Sequence, residues 1–482
     1  MPAPRSSDFG RVARRRRTVQ ASPAVQGERS IERSFEGQHQ PSPAAYAPDR
    51  KPRKPRKPSR ANPWRGPDPT PRVGEVNIIF VEPAFPANQR RFVHALASVG
   101  ANIYGIGESE EGHLGEELLG AMRGYLRVGS VTNVDQMVEA VRAFQDRVWI
   151  DALEATVEAH TMPAAQVREA CGIPGTSVRT TWLCRDKPSM KEALRQAGVP
   201  TAASAAVESA EEAHAFADAV GYPLILKPRA GAGAQGTVRV DSDDEMVQAL
   251  QVFAREGATS IAIEEFVEGH EGFYDTITLD GRVVHDWATH YYPNVLEAMR
   301  HRWISPQFIT TNRLDGNPFY DEVRDLGRRV IAALGIETSA THMEWFYGPK
   351  GLKFSEIGVR PPGVGAWDLY SAANDVDVYR EWAHVITHRR PDQPMRRTYA
   401  AGIVALRPDH DGVVKGYTGI DEIQGRYGEW ILDGHFPPVG HGTQPVEAGY
   451  MANAWVRLRH PDYDTARAML DDIGRTIHVH AG

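Results

Sequence analysis

Two glutamates, two lysines, an arginine and a run of glycines are the residues of this chain whose types and spacing suit phosphate chemistry. Glu344 lies in Thr341-His342-Met343-Glu344-Trp345-Phe346, and Glu356 lies twelve positions on, in Phe354-Ser355-Glu356-Ile357-Gly358-Val359-Arg360. Between them stands the turn Tyr347-Gly348-Pro349-Lys350-Gly351. An antiparallel hairpin centred on Lys350 sets the two carboxylates opposite each other. Facing carboxylates repel unless a cation lies between them. Magnesium suits such a pair, because it takes oxygen ligands and keeps positions for substrate phosphates. Arg360, four residues past Glu356, shares its strand face if the strand continues. There it meets a γ-phosphate or a developing phosphorylated carboxylate. The plain alternative is a solvated surface hairpin.

The stretch Leu224 to Val240 reads LILKPRAGAGAQGTVRV, and Gly231, Gly233 and Gly236 spell G-x-G-x-x-G. In a dinucleotide site a helix opens inside the glycines. Here Thr237-Val238-Arg239-Val240 alternates with β-branched residues, a strand signal, and the next helix pattern begins only near Glu245. No Gly-Lys-Ser/Thr follows, so the P-loop is also excluded. What remains is a glycine tip between two antiparallel strands. Such a tip either donates backbone N–H groups to phosphates or is only a turn.

These residues sit in a body of ordinary composition. The 482 residues are 41% hydrophobic and 24% charged, and no run of 18 apolar residues marks a membrane span. Two cysteines, Cys171 and Cys184, build neither a disulfide framework nor a cysteine zinc site, and a reducing, cytoplasmic location fits. Charge is uneven: residues 1–72 hold 17 Lys/Arg against 6 Asp/Glu, leaving 38 against 56 in the rest. That leading segment, with Arg14-Arg15-Arg16-Arg17 and KPRKPRKP at 51–58, is expected to be disordered. It is an electrostatic tether for an anionic surface, a solvated tail, a transit-like leader, or the product of a start placed too early. Nothing in it suggests groove reading or base stacking, so a nucleic-acid partner is disfavoured.

Residues 73–183 read as an α/β domain with a parallel sheet, from the strand run 76–81, the helix face Phe92, Leu96 and Val99, and the strand 103–106. A second unit, 184–396, opens with a helix at Lys187 that stops at Gly198-Val199-Pro200. It divides into 184–260, with the glycine hairpin, and 261–396, with helix 319–334 and the Glu344/Glu356 hairpin. Residues 397–482 read as strands with a helix at 462–474, a small β-rich lobe.

A lysine opening a helix, a lysine ending a strand before a glycine hairpin, the acidic stretch Glu264-Glu265-Phe266-Val267 and a Glu…Glu-x-x-x-Arg hairpin follow one another in this order. The arrangement resembles the ATP-grasp superfamily over about 73–482, with a core like that of biotin carboxylase and of stand-alone carboxylate–amine ligases. The resemblance implies two α+β lobes clasping ATP. Lys187 and Lys227 would hold the α- and β-phosphates, and Gly231, Gly233, Gln235 and Gly236 would close over the triphosphate. Main-chain groups of Glu265 and Val267, beside Phe266, and the carboxylate of Glu264 would read adenine. Glu271 would bind ribose. Glu344 and Glu356 would hold Mg2+, or Mn2+ in its place, and Arg360 and Lys227 would serve the chemistry. One departure stands out: the family's Glu-x-Asn-x-Arg reads Glu356-Ile357-Gly358-Val359-Arg360, so the amide ligand is missing and a water would fill its place.

The resemblance implies an ATP-dependent ligase that joins a carboxylate to an amine through an acylphosphate, with an amino acid or short peptide as substrate and homodimerisation left open. The turn Pro361-Pro362-Gly363-Val364-Gly365 is expected to border the acceptor pocket. His285, His290 and His301 lack metal spacing and are expected to make ordinary polar contacts. His290, Arg300 and Arg302 either bind a carboxylate or cover the sheet, and Trp345, Trp367 and Trp382 read as core. The alternatives to a ligase are a non-catalytic nucleotide-binding protein and a nucleic-acid-associated protein driven by the basic tail.

Overall fold

The apolar run Asn77–Val81 is buried on both faces, as a strand with helices above and below must be. It pairs in parallel with Asn102–Gly107 on one side and Ala152–Glu154 on the other. Gly124–Arg127 adds the outer strand, so the first strand in sequence lies between the second and the fourth. Helices Gln89–Ser98, Val134–Gln145 and Glu158–Cys171 accompany this sheet. The computed structural model describes residues 75–229, 236–446 and 454–482. The basic segment 1–72 and the loop residues Gly231, Gly233 and Gln235 lie outside the described residues.

The second sheet is antiparallel. Its strands Ser204–Val207, Ile261–Glu265, Leu224–Pro228 and Val238–Val240 lie side by side in that order. The two strands flanking the glycines thus form a hairpin, and Gly236 holds φ +67 at its end. Helices Ala210–Val220 and Asp243–Arg255 complete this lobe, each started by a serine hydroxyl that accepts a first-turn N–H.

The third sheet has eight strands, in the order Gly351–Gly358, Ser339–Gly348, His270–Leu279, Arg282–Tyr292, Gln307–Thr310, Ala400–Leu406, Ala454–His460 and Ile431–His435. The last three come from the C-terminal part of the chain, so its strands extend this sheet instead of forming a layer of their own. Among the described residues, Val414–Thr418 and His478–Ala481 pair apart. Helix Pro318–Leu334 lays Val323, Leu326, Val330 and Leu334 on a core shared with Met190 and Leu194 of helix Lys187–Gln196. Phe92 of the parallel unit packs against Trp367, Tyr379 and Trp382, and so fixes that unit to helices Ala366–Asn374 and Val378–His388. Trp345, Trp367 and Trp382 are buried, as expected of core residues.

Candidate active site

Helix Lys187–Gln196 begins at Asp186, whose side chain accepts the Ser189 N–H. The same carboxylate takes a two-pronged pair from Arg229 at 2.9 and 3.0 Å, and the Lys187 N–H donates to the Arg229 carbonyl. This clasp ties the start of the helix to the end of strand Leu224–Pro228. It thereby brings Lys187 and Lys227 to one place.

Opposite them, strands Ser339–Gly348 and Gly351–Gly358 pair with Glu344 directly across from Glu356. The facing arrangement inferred from the turn is therefore present. Lys187 Nζ lies 3.3 Å from Glu356 Oε2. Burial works to raise Glu356, but Lys187 and Lys227 outweigh it and hold the carboxyl below its ordinary value.

The carboxylate of Glu264 is held through Oε2 by Lys227 Nζ at 2.9 Å and Lys191 Nζ at 2.6 Å, while its buried Oε1 has no partner among the described residues. Burial pushes it up, yet the two ammonium groups prevail and bring it down to about 2. Lys191 did not emerge from the sequence. It lies one helical turn after Lys187, on the same face. Lys227 is held above its usual value, because Glu264 and Glu356 overcome the effect of burial. Burial dominates at Lys191 and brings it down to about 8.

The neighbouring acidic residues are engaged differently. Glu265 gives its carboxylate to Lys350 and to Lys353 at 3.1 Å, and its N–H to the Ala203 carbonyl. The Phe266 N–H donates to Pro223. Glu271 is buried and accepts the Val295 N–H at 2.7 Å; burial, followed by the charge of Glu344, raises it to about 8. His342 bonds Asp275 at 2.7 Å and stands 3.7 Å from Glu344.

Arg360 lies beyond the end of its strand. Its Nε donates to Glu158 Oε2 at 2.7 Å and its Nη1 to the Pro361 carbonyl. A Cβ built on Gly358 would stand 3.4 Å from the same Glu158 oxygen. The space beside the missing amide is thus partly taken by a carboxylate from the parallel unit. Pro361, alone of the turn 361–365, borders a small cavity there.

The histidines make the ordinary contacts expected of them: His285 bonds Glu381 at 3.0 Å, and His290 lies between His270 and Tyr320. Arg302 reaches Asp411, so it does not join His290 in a carboxylate site.

The donor set fits a magnesium–phosphate complex. Among the described residues no group of three or more His, Cys, Asp or Glu side chains forms a metal cage. Magnesium is commonly held by one or two carboxylates with phosphates supplying the rest, and Glu344 and Glu356 provide that pair. Also among the described residues, no helix is long and apolar enough to cross a membrane.

Residues 192–375 match the family model of the ATP-grasp domain. Over 282 residues, 56% of this chain, it is 26% identical to the L-arginine-specific L-amino acid ligase of Bacillus subtilis. It is also 26% identical over 260 residues to the alanine–anticapsin ligase of Bacillus amyloliquefaciens. The chain spans 66% of the length of the first relative and 53% of the second. In fold it resembles the L-amino acid ligase of Bacillus licheniformis, with a TM-score of 0.66 at 17% identity over 84% of this chain and 99% of that one. A biotin carboxylase domain from Hydrogenobacter thermophilus, solved with MgADP, superposes with a TM-score of 0.59 at 19% identity, covering 83% of this chain and 90% of that one. With its facing glutamates and converging lysines set on this fold, the chain carries an ATP-grasp domain over residues 192–375.

Proposed function

We propose that the protein is an ATP-dependent carboxylate–amine ligase that acts on amino acids or short peptides. The observation that carries this reading is the meeting of Lys187, Lys191 and Lys227 with Glu344 and Glu356 where the two antiparallel sheets converge. The amino-acid ligases among its relatives support the substrate class. We assign 73–183, 184–396 and 397–482 as its three units, with the nucleotide between 184–260 and 261–396.

In this reading a carboxylate oxygen attacks the γ-phosphorus of ATP, the bond to ADP breaks, and an acylphosphate forms. The amine nitrogen then attacks the acyl carbon and phosphate leaves with the bridging oxygen. Mg2+ held by Glu344 and Glu356 neutralises phosphate charge when bound. Lys187 and Lys227 bind phosphate oxygens, and their carboxylate partners hold them in place beforehand, so little reorganisation is needed. Main-chain groups of Glu265 and Val267 receive adenine, and Glu271 receives ribose. Glu264 acts through its lysines. Arg360, released from or shared with Glu158, offsets charge on the acylphosphate.

A panel of the standard amino acids, supplied in pairs with ATP and Mg2+, tests the assignment. Phosphate release that requires both amino acids, with an equal amount of dipeptide, is expected. ATP turnover that ignores the amino acids would refute it.

A further inference from the structure

The two facing glutamates are held in different ways. Lys187 Nζ stands 3.3 Å from Glu356 Oε2, whereas beside Glu344 stands the imidazole of His342, with its Nε2 at an ion-pair distance of 3.7 Å from Oε1. His342 and Glu344 are two positions apart on strand Ser339–Gly348 and so share one of its faces. Across the hairpin His342 pairs with Gly358, the position at which the family's amide is missing. Directly opposed residues of an antiparallel pair lie about 4.5–5.5 Å apart. The imidazole therefore stands beside the place of the missing ligand, on the face that carries both glutamates.

The ring is fixed from behind. Its Nδ1 bonds Oδ1 of Asp275 at 2.7 Å, and Asp275, directly opposite His342 on strand His270–Leu279, is fully buried. The other oxygen of that carboxylate accepts the hydroxyl of Tyr370, which is itself fully buried. The Tyr370 ring lies parallel to Trp287 at 4.8 Å, and Phe273 sets its ring against the imidazole at 5.0 Å. A carboxylate taken out of water is tolerated when both of its oxygens are bonded, as these are. An imidazole set between two carboxylates keeps both N–H groups, one for each. Magnesium takes oxygen ligands, so the ring acts on the Glu344 carboxylate and leaves the ion to oxygen atoms.

We propose that His342, anchored by Asp275, is a positioning residue that fixes the Glu344 carboxylate for the metal and so makes up for the amide absent at Gly358. The assignment rests on the metal–nucleotide site proposed above and not on the identity of the substrates. A carboxylate already fixed loses less freedom when the ion arrives, and groups that orient metal ligands typically contribute about 10–100-fold in metal affinity.

The test uses the full chain with ADP and Mn2+, whose free and bound forms are separated by electron paramagnetic resonance. His342→Leu is expected to weaken Mn2+ binding to the protein–ADP complex at least about tenfold, with metal-free ADP held within about twofold of the unaltered protein. His342→Gln, which carries an N–H at about the reach of Nε2, should recover part of the loss. Asp275→Asn keeps an acceptor for the Nδ1–H but removes the charge behind it, and should weaken Mn2+ about threefold or more. Bound Mn2+ should show no coupling to a ring nitrogen, because the imidazole acts through Glu344; such coupling would make His342 a ligand and overturn the positioning role. Unchanged Mn2+ affinity in His342→Leu, or in Asp275→Asn should the leucine variant not fold, overturns that role and leaves the nucleotide site standing. So does an equal fall in affinity for metal-free ADP. No Mn2+–ADP binding by the unaltered protein overturns the site itself, and this assignment with it.

Discussion

Replacing Lys191 should make the protein more stable and less active. The residue is 1% exposed, and its ammonium rests 2.6 Å from Glu264. Burial, offset only in part by Glu264, brings it from the usual 10.5 down to about 8. That fall corresponds to about 3 kcal/mol against the charged form in the folded protein. Between pH 8 and 10.5 the unfolded chain holds a proton that the folded protein has released, so the contribution of Lys191 to stability rises with pH across that window. At pH 7.5 the cost is present in full. Lys191→Met removes that cost but also one of the two cations that hold Glu264 down to about 2. The net gain at pH 7.5 should therefore be well under about 3 kcal/mol, with Glu264 keeping its 2.9 Å pair with Lys227. The gain should shrink as pH rises and vanish near 10.5. Thermal unfolding of both proteins at pH 7.5 and pH 10 measures this as a higher midpoint for the variant that narrows at the upper pH. In the same variant the apparent affinity for ATP should fall, because Glu264, which also holds Lys227, loses one of its two cations. A lower midpoint at pH 7.5, or a gain that persists undiminished at pH 10, would refute the reasoning.

Three further outcomes follow from the same geometry. Glu356→Gln removes one of two facing carboxylates, so carboxylate-dependent phosphate release should drop by a factor of about 100 or more while the melting temperature moves little; near-normal turnover would place the metal elsewhere. Gly358→Asn sends an amide toward Glu158 and disturbs its clasp on Arg360, so kcat should fall about tenfold; a faster enzyme would mean that the family's amide position is vacant here. Asp286 is buried but held below its ordinary value by Arg324 and Arg397, so its contribution is present above about pH 4 and lost as pH falls through the lowered value. Asp286→Asn should cost about 3 kcal/mol at pH 7 and flatten the acid limb of the stability profile, measured by denaturation at pH 3 to 7.

What the sequence discloses about this site depends on how far apart the partners lie along the chain. Glu344 and Glu356 straddle a Gly-Pro-Lys-Gly turn whose own register, Gly348 opposite Gly351, would set Glu344 against Ser355. A bulge between Glu344 and Trp345 brings Glu356 across instead, so the pairing is as inferred but the turn's symmetry alone does not give it. The hairpin character of the glycine stretch is equally local, since alternation in 238–240 rules out a helix there. Lys191 was within reach, because a lysine one turn after Lys187 on an otherwise apolar face signals a buried charge with a partner. Nothing local announces that the partner is Glu264, more than 70 residues on, or that its carboxylate turns to lysines. Glu158 and Arg360 meet across 202 positions, and neither flanking segment carries a pattern that foretells it. The C-terminal strands likewise alternate as strands do, but period alone does not say that Ala400–Leu406 will add to the edge offered by Gln307–Thr310.

The central claim is a carboxylate activated by the γ-phosphate at the Lys187–Lys227–Glu344–Glu356 cluster. Oxygen transfer tests it most directly: the carboxylate donor is labelled with 18O in both oxygens, and the released phosphate is analysed by mass. An acylphosphate route transfers one labelled oxygen to each phosphate. Phosphate carrying none would mean that water, not the carboxylate, attacks ATP.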